Sequence, residues 1–142
     1  MKPGDKAESQ GGSFSIPSQV SSIPPSVDKL VGLIRAAGCL GDIQTDIEMA
    51  AFEALANAVI HGNREDVSKQ VHIHYHCRPG EEVLIVVKDE GTGFSPEKVP
   101  DPTTPENLEA EHGRGILMMR AFMDEVRYEA GGTELHLRKK LR

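Results

Sequence analysis

The stretch that decides the fold is Glu53-Ala-Leu-Ala-Asn57-Ala-Val-Ile-His61-Gly62. Glu53 and Asn57 are four residues apart, so on an α-helix their side chains lie on one face. Glu53 can accept a proton, and the Asn57 side chain offers a neutral oxygen of the kind that binds Mg²⁺. Taken alone, this pattern more often marks two solvated residues on an exposed helix, so its meaning depends on the sequence around it.

The surrounding residues predict an amphipathic helix that places this pair at the border of the core. Thr45 and Glu48 form a capping-box pattern, which predicts the start of the helix, and Gly62 predicts its end. The apolar residues expected to face a sheet are Ile47, Ala51, Ala54, Leu55 and Ala58. The adjacent side carries Asp46, Ala50, Glu53, Asn57 and His61. A polar row beside the core face can line a cleft.

Two glycine motifs follow this helix. Asp89-Glu90-Gly91-Thr92-Gly93 comes directly after a predicted central strand. A carboxylate there can accept a hydrogen bond from an exocyclic amine such as that of adenine, and glycines let the backbone pass close to a flat base. Gly113-Arg114-Gly115 precedes a predicted helix, whose free N–H groups would attract phosphate. The simpler alternatives are a plain turn for the first motif and a flexible joint for the second.

The remaining periodicity predicts one domain. Residues 1–12 are expected to be a disordered tail, and residues 13–142 a single domain. A long loop follows Glu90, because prolines interrupt residues 90–111. The predicted strands are 13–17, 71–77, 83–88, 125–129 and 133–138, and the predicted helices are 26–37, the one from Thr45 to Gly62, and 116–122.

Composition limits the class of protein. The chain has 142 residues, of which 38% are hydrophobic and 27% charged, which suits one compact domain. A net charge of -6 argues against a general nucleic-acid binder. No apolar run reaches the roughly 20 residues that span a bilayer, and the first residues lack a signal-peptide core, so a cytoplasmic location is expected. Cys39 and Cys77 lie outside any metal-ligand spacing and are expected to be reduced.

The three motifs, in this order, resemble the N box, G1 box and G2 box of the GHKL ATP-binding superfamily. Within it, the chain is similar to the stand-alone anti-sigma factor serine/threonine kinases, the RsbW/SpoIIAB-like family. The matching pieces are Ser15-Ile16-Pro17-Ser18, Glu53-Ala54-x-x-Asn57-Ala58-x-x-His61-Gly62-Asn63, Asp89-x-Gly91-x-Gly93-Phe94, Gly113-Arg114-Gly115-Ile116 and Met119-x-x-x-Met123-Asp124-Glu125-Val126. The resemblance covers about residues 13–138. It implies a two-layer α/β (α+β) sandwich, the Bergerat/GHKL ATPase fold, with a mixed, mostly antiparallel sheet and helices on one face.

The resemblance also implies roles for individual residues. Glu53 would be the catalytic base, Asn57 would bind Mg²⁺, and Asp89 would contact the adenine of ATP. Residues 95–112 would correspond to the ATP lid. The implied nucleotide-binding residues are Asn57, Asp89, Gly91, Gly93, Phe94, Gly113, Arg114, Gly115, Ile116 and Thr133.

By the same resemblance, the protein would transfer the γ-phosphoryl group of ATP to a serine or threonine of a STAS-domain anti-sigma factor antagonist. A sigma factor would be a second partner, and a homodimer is expected, with no direct contact to nucleic acid or membrane. The alternative is a non-catalytic ATP/ADP-dependent switch. A fragment of a sensor histidine kinase is a weaker alternative, and a metal site at His72, His74 and His76 is another.

Overall fold

The computed structural model describes residues 9–92 and 111–141, which form a five-stranded sheet with helices packed on it. The strand order is β1-β2-β3-β5-β4, and each pair of neighbours is antiparallel. The strands are β1 (Gln10–Pro17), β2 (Gln70–Arg78), β3 (Glu82–Lys88), β4 (Glu125–Glu129) and β5 (Glu134–Lys140). The helices are α1 (Ile23–Ala36), α2 (Gln44–Ala56) and α3 (Glu111–Phe122), and a π-helical turn (Asn57–Gly62) continues α2. The predicted two-layer sandwich is confirmed, and within the described residues the sheet is wholly antiparallel.

The sheet packs on the helices through one of its two faces because alternate strand residues point to opposite sides. Val71, Ile73 and Cys77 of β2 are buried, whereas the intervening His72 and His74 are half-buried on the open face. The same alternation buries Val83, Ile85 and Val87 of β3 and Leu135 and Leu137 of β5. Burying one such side chain stabilises the fold by about 1.5–3 kcal/mol.

The helices supply the other half of the core. α1 begins with Ile23-Pro24-Pro25, where proline is tolerated because the first N–H groups of a helix have no partner within it. Its buried residues include Ile23, Leu30 and Ile34. α2 buries its predicted row, Ile47, Ala51, Ala54 and Leu55, together with Ala50. Small alanines on α2 let it lie close to its neighbours, so this helix is the central element of the layer.

Several predicted boundaries need correction. α2 begins at Gln44 after Ile43, with no side-chain cap, so the predicted capping box of Thr45 and Glu48 is wrong. Here the backbone turn at residues 40–43 leads into the helix, since the N–H of Ile43 donates to Leu40 and that of Ile47 to Ile43. β1 begins at Gln10, three residues earlier than predicted, because it pairs along β2 as far as Cys77.

The helix near the C-terminus is also longer than predicted. α3 runs from Glu111 to Phe122, so Gly113, Arg114 and Gly115 lie within its first turns rather than before its start. The predicted hairpin of β2 and β3 is confirmed, as is β4 over residues 125–129. β4 and β5 are joined at Gly131 and Gly132, whose positive φ angles of 68° and 96° favour glycine.

The two cysteines are bonded to each other, so the prediction that they are reduced is wrong for this structure. Cys39 follows α1 and Cys77 lies near the end of β2, with their Cα atoms 5.9 Å apart. This separation lies in the range of natural disulfides. Both residues are buried, at 1% and 0% exposure. The disulfide could not be predicted from the spacing of the two cysteines, because the fold, and not a local motif, brings the end of α1 against β2.

Within the described part of the chain, each helix is too short or too polar to cross a bilayer.

Candidate functional site

The candidate site is built around the π-helical turn that ends α2. The N–H of Asn63 donates to the carbonyl of Ala58 at 2.8 Å, and the N–H of Glu65 donates to Val59 at 2.8 Å. These hydrogen bonds span five and six residues, instead of the four residues spanned in a regular α-helix. Single π-helical turns are rare and frequently occur at functional sites. Here the turn begins at Asn57 and ends at Gly62.

Glu53 and Asn57 converge on the backbone of α3 at Gly115. A Cβ atom at Gly115 would lie 3.1 Å from Glu53 Oε2 and 3.3 Å from Asn57 Oδ1. Any larger residue would push into both side chains, so glycine leaves room for their oxygens beside the helix. The structure thus brings together three residues that the sequence assigned to one site, from two helices 58–62 residues apart in the chain.

The Asn57 side chain is suited to a hard cation. The residue is only 9% exposed, and its Nδ2 atom has no hydrogen-bond partner of standard geometry among the described residues. Its Oδ1 atom lies beside the same gap at Gly115 as the Glu53 carboxylate. Mg²⁺ commonly takes one or two protein oxygens and fills its other positions with water and phosphate oxygens. The oxygens present here therefore fit Mg²⁺ held together with a nucleotide.

Asp89 occupies the second half of the site, next to Gly62 and Gly91. A Cβ atom at Gly62 would overlap the Asp89 carboxylate, and one at Gly91 would overlap the carbonyl oxygen of Gly62. The Oδ1 atom of Asp89 accepts a 2.8 Å hydrogen bond from the N–H of Gly91. The N–H of Asp89 donates to the carbonyl of Thr133 at 2.9 Å. The end of β3, the π-helical turn and the residue before β5 are thereby held together at Asp89.

The surroundings of Asp89 disfavour the charged form of its carboxyl group. Burial raises the pKa of this carboxyl, and the Gly91 N–H and the charge of Lys69 only partly oppose the rise. A half-buried acceptor with a raised pKa, at the end of a central strand, is a characteristic of ligand sites. Its Oδ2 atom packs against the backbone of Gly62, where a side chain would overlap it.

Asn63 was not assigned a role from the sequence, although it is the last residue of the piece matched to the N box. It is 1% exposed, and its Nδ2 atom donates to Ser18 Oγ at 2.7 Å and to the carbonyl of Gln70 at 2.9 Å. Its Oδ1 atom accepts from the N–H of Glu90 at 2.7 Å. One buried carboxamide thus ties the end of α2 to β2 and to the turn that carries Asp89.

The Glu90 side chain fixes the same turn from the open face of the sheet. Its two oxygens accept hydrogen bonds from the N–H of Gln70 at 3.0 Å and from His72 Nε2 at 2.8 Å. Both bonds lower the pKa of Glu90, and the bond from Gln70 has the larger effect. His72 in turn is linked to Ser15 on β1, with Oγ and Nδ1 2.7 Å apart.

Tyr128, on β4, is a second residue that the sequence did not single out. Burial raises the pKa of its phenol to about 12, and the Asn57 side chain and the charge of Arg120 oppose the rise. The charge of Asp89 raises it further. Tyr128 is therefore close to both halves of the site. No local motif marks a lone tyrosine on a short strand, so only the fold shows this position.

The other predicted site residues are placed as follows. Thr133 contributes its backbone to the Asp89 contact, and its hydroxyl donates to Ala130 at 2.9 Å. Ile116 is 3% exposed and packs in the core. Gly113 and Arg114 lie in the backbone of α3. Gly93, Phe94 and most of the predicted lid lie outside the described residues. No group of three or more His, Cys, Asp or Glu side chains in residues 9–92 and 111–141 could hold a metal ion.

Comparisons with known proteins identify the family of the chain. The histidine kinase-like ATPase domain family matches residues 16–139. The chain is 32% identical over 144 residues to the anti-sigma F factor of Priestia megaterium, covering 95% of this chain and 88% of that protein. It is 34% identical over 106 residues to the anti-sigma F factor of Clostridium novyi (strain NT), covering 69% of this chain and 71% of that protein.

A solved structure shares the fold. The crystal structure of the RsbU and RsbW domains of Rv1364c from Mycobacterium tuberculosis superposes with a TM-score of 0.59 at 19% identity, over 94% of this chain and 32% of that one. Sheet, helices and nucleotide-type site therefore define an ATPase-like domain. The chain belongs to the histidine kinase-like ATPase domain family, and anti-sigma F factors are its relatives there.

Proposed function

We propose that this protein is an ATP-binding anti-sigma factor that phosphorylates a serine or threonine of a STAS-domain antagonist. The observation that supports this most is the convergence of the Glu53 carboxylate and the Asn57 carboxamide on Gly115. A switch that only binds nucleotide needs Asn57 and Asp89, whereas the kinase also gives the Glu53 carboxylate beside Gly115 a role as the base.

Each residue has a role that follows from its position. Asp89 accepts a hydrogen bond from the adenine amine, while Gly62 and Gly91, which lack side chains, let its carboxylate and the Gly62 carbonyl pack closely at this end of the site. Asn57 Oδ1 would hold Mg²⁺, which supplies charge neutralisation for the phosphates. Glu53 takes the proton of the attacking hydroxyl. That oxygen bonds to the γ-phosphorus, and the bond from this phosphorus to the β–γ bridging oxygen breaks, which releases ADP. Phosphoryl transfer depends mainly on such positioning and charge stabilisation.

The partners are inferred from the relatives. The names of the anti-sigma F factors imply that those proteins act on a sigma factor. By extension, this chain would bind a sigma factor and release it when a STAS-domain antagonist competes. We expect it to act as a homodimer in the cytoplasm, and sedimentation of the purified protein would measure the oligomeric state.

The kinase proposal is tested with labelled ATP, Mg²⁺ and a panel of STAS-domain proteins from the same genome. We expect label on one of them. Glu53→Gln should reduce the transfer rate by about 10²–10⁴-fold, the usual contribution of a general base, and leave ATP affinity within about twofold. Glu48→Gln is the matched control, since it removes the same charge from α2 on a different side of the helix and should transfer normally.

The outcomes separate the alternatives. Normal ATP binding with no label on any partner would support the nucleotide switch instead. Normal transfer by Glu53→Gln would show that another group is the base. A protein that does not bind ATP would contradict both functions.

A further inference from the structure

We propose that Tyr128 is a positioning residue that orients the Asn57 carboxamide so that Oδ1, and not Nδ2, faces the magnesium position. This inference rests on the proposed function, because it concerns the contact between Tyr128 and Asn57, the proposed Mg²⁺ ligand. Tyr128 lies on β4, and β2, β3 and α3 lie between it and Asn57 in the chain, so the contact is made only by the fold.

A carboxamide has a chemical ambiguity that a metal ligand must resolve. Its oxygen is an acceptor and its nitrogen a double donor, and a rotation by half a turn exchanges the two. Only the oxygen can bind Mg²⁺. At Asn57 both ends are near Gly115, since a Cβ there would lie 3.3 Å from Oδ1 and 3.4 Å from Nδ2. Packing against Gly115 therefore does not distinguish the two orientations.

The nitrogen end is the one that needs a partner. Asn57 Nδ2 is buried and forms no hydrogen bond of standard geometry within the described residues, and a buried donor left unsatisfied costs about 1–3 kcal/mol. The hydroxyl oxygen of Tyr128 is also a buried side-chain atom, and the Asn57 side chain is close enough to it to lower the pKa of the phenol. A phenol oxygen can accept a hydrogen bond. In ligand-free structures, hydrogen bonds at active sites are often poorly aligned and tighten when the ligand binds.

The chemistry of the phenol suits this purpose, because its uncharged hydroxyl oxygen can accept a hydrogen bond. A neutral oxygen accepts from Nδ2 without placing negative charge beside the phosphates. A phenylalanine would fill the same space and leave Nδ2 without its acceptor. Groups that orient metal ligands in this way typically change metal affinity by about 10–100-fold when removed.

The test compares Tyr128→Phe with the wild type in nucleotide titrations with and without Mg²⁺. We expect the Mg²⁺ concentration for half-maximal enhancement of ATP binding to rise by about 10-fold or more, whereas Mg²⁺-free affinity, which depends on Asp89, stays within about twofold. Tyr75→Phe, which removes the hydroxyl of the other tyrosine, on β2, is the matched control and should behave as wild type.

A double-variant cycle distinguishes positioning from general damage. If Tyr128 acts through Asn57, Tyr128→Phe should have no further effect on Mg²⁺ dependence once Asn57 is alanine. Additive losses would overturn the inference, as would an unchanged Mg²⁺ requirement in Tyr128→Phe. A parallel loss of Mg²⁺-free affinity would show a merely structural role and would also overturn it. If the wild type itself shows no Mg²⁺-dependent ATP binding, the proposed function fails instead.

The same cycle has a readout that needs neither nucleotide nor metal. In thermal denaturation of the free protein, Asn57→Ala and Tyr128→Phe should be non-additive, because each removes one side of the same buried contact. Additive shifts of the melting temperature in the free protein would count against the contact itself.

Discussion

Asn63 Oδ1 accepts a 2.7 Å hydrogen bond from the N–H of Glu90, which fixes the turn after β3 to the end of α2. The same side chain donates to Ser18 and to Gln70. Three elements that are distant in sequence are therefore held by one buried amide. Because Asp89 directly precedes Glu90, this contact also fixes the position of Asp89.

Replacing Asn63 by alanine should destabilise the protein by about 2–4 kcal/mol, because one buried and two part-buried hydrogen bonds are lost. Chemical denaturation would measure this. Gln44→Ala, which removes an exposed hydrogen bond to Arg35, should change stability by less than about 0.5 kcal/mol. Equal effects of the two substitutions would show that the Asn63 network contributes nothing special.

Gly62→Ala should abolish nucleotide binding and destabilise the fold, since the new methyl group would overlap the Asp89 carboxylate. The control is Gly32→Ala on α1, where a Cβ meets no atom within 4 Å. That substitution should stabilise the protein by about 0.5–1 kcal/mol, as alanine replaces glycine within a helix. Melting curves with and without ATP test both. Wild-type binding by Gly62→Ala would mean that Asp89 is not packed as described.

Asp89→Asn should reduce ATP affinity by at least about tenfold, equivalent to about 1.4 kcal/mol, without loss of stability. The pKa of Asp89 is raised above its ordinary value of 3.8, chiefly by burial. An acid with a raised folded pKa makes the native state less stable as the pH rises from its unfolded pKa through its folded pKa. At pH 7 the variant should therefore melt at the wild-type temperature or above it.

The raised pKa also predicts a pH dependence of binding. The adenine amine needs the ionised carboxylate, so wild-type affinity should fall as the pH is lowered through the Asp89 pKa, at a higher pH than for an ordinary aspartate. In Asp89→Asn this acidic limb should be absent. Titrations at a series of pH values measure it, and an identical limb in the variant would assign the titration to another group.

Reduction of the Cys39–Cys77 bond should lower stability by about 3–4 kcal/mol, the value that loop-closure entropy gives for residues 38 positions apart. Denaturation with and without a reducing agent measures the effect. The Cys39→Ala, Cys77→Ala double variant should be insensitive to the reductant. If the wild type is equally insensitive, the cysteines are not bonded in solution.

The sequence predicted what depends on local periodicity. The spacing of Ile47, Ala51 and Leu55 predicted the buried face of α2, and alternation along Val71 to Cys77 predicted β2. Features set by tertiary contacts were missed. Asn63 has partners on three elements, Tyr128 meets Asn57 across the layers, and the start of α2 depends on the preceding turn rather than on Thr45.

Parts of the candidate site could likewise be predicted from the sequence, whereas other parts required the fold. The motifs containing Glu53, Asn57 and Asp89 could be found because their spacing is local and their order is specific. That both glutamate and asparagine meet Gly115, and that Gly62 packs on Asp89, required the fold. Gly113–Gly115 was predicted as a helix start but lies within α3, because glycines only weaken a helix and do not fix where it begins.

The central claim is that Asn57 joins a magnesium ion to a nucleotide held by Asp89. Calorimetric titration of ATP into the wild type and Asn57→Ala, each with and without Mg²⁺, tests it most directly. We predict that Mg²⁺ strengthens ATP binding to the wild type by at least about tenfold and has little effect on binding to the variant. Equal enhancement by Mg²⁺ in both proteins, or no ATP binding by the wild type, would contradict the account.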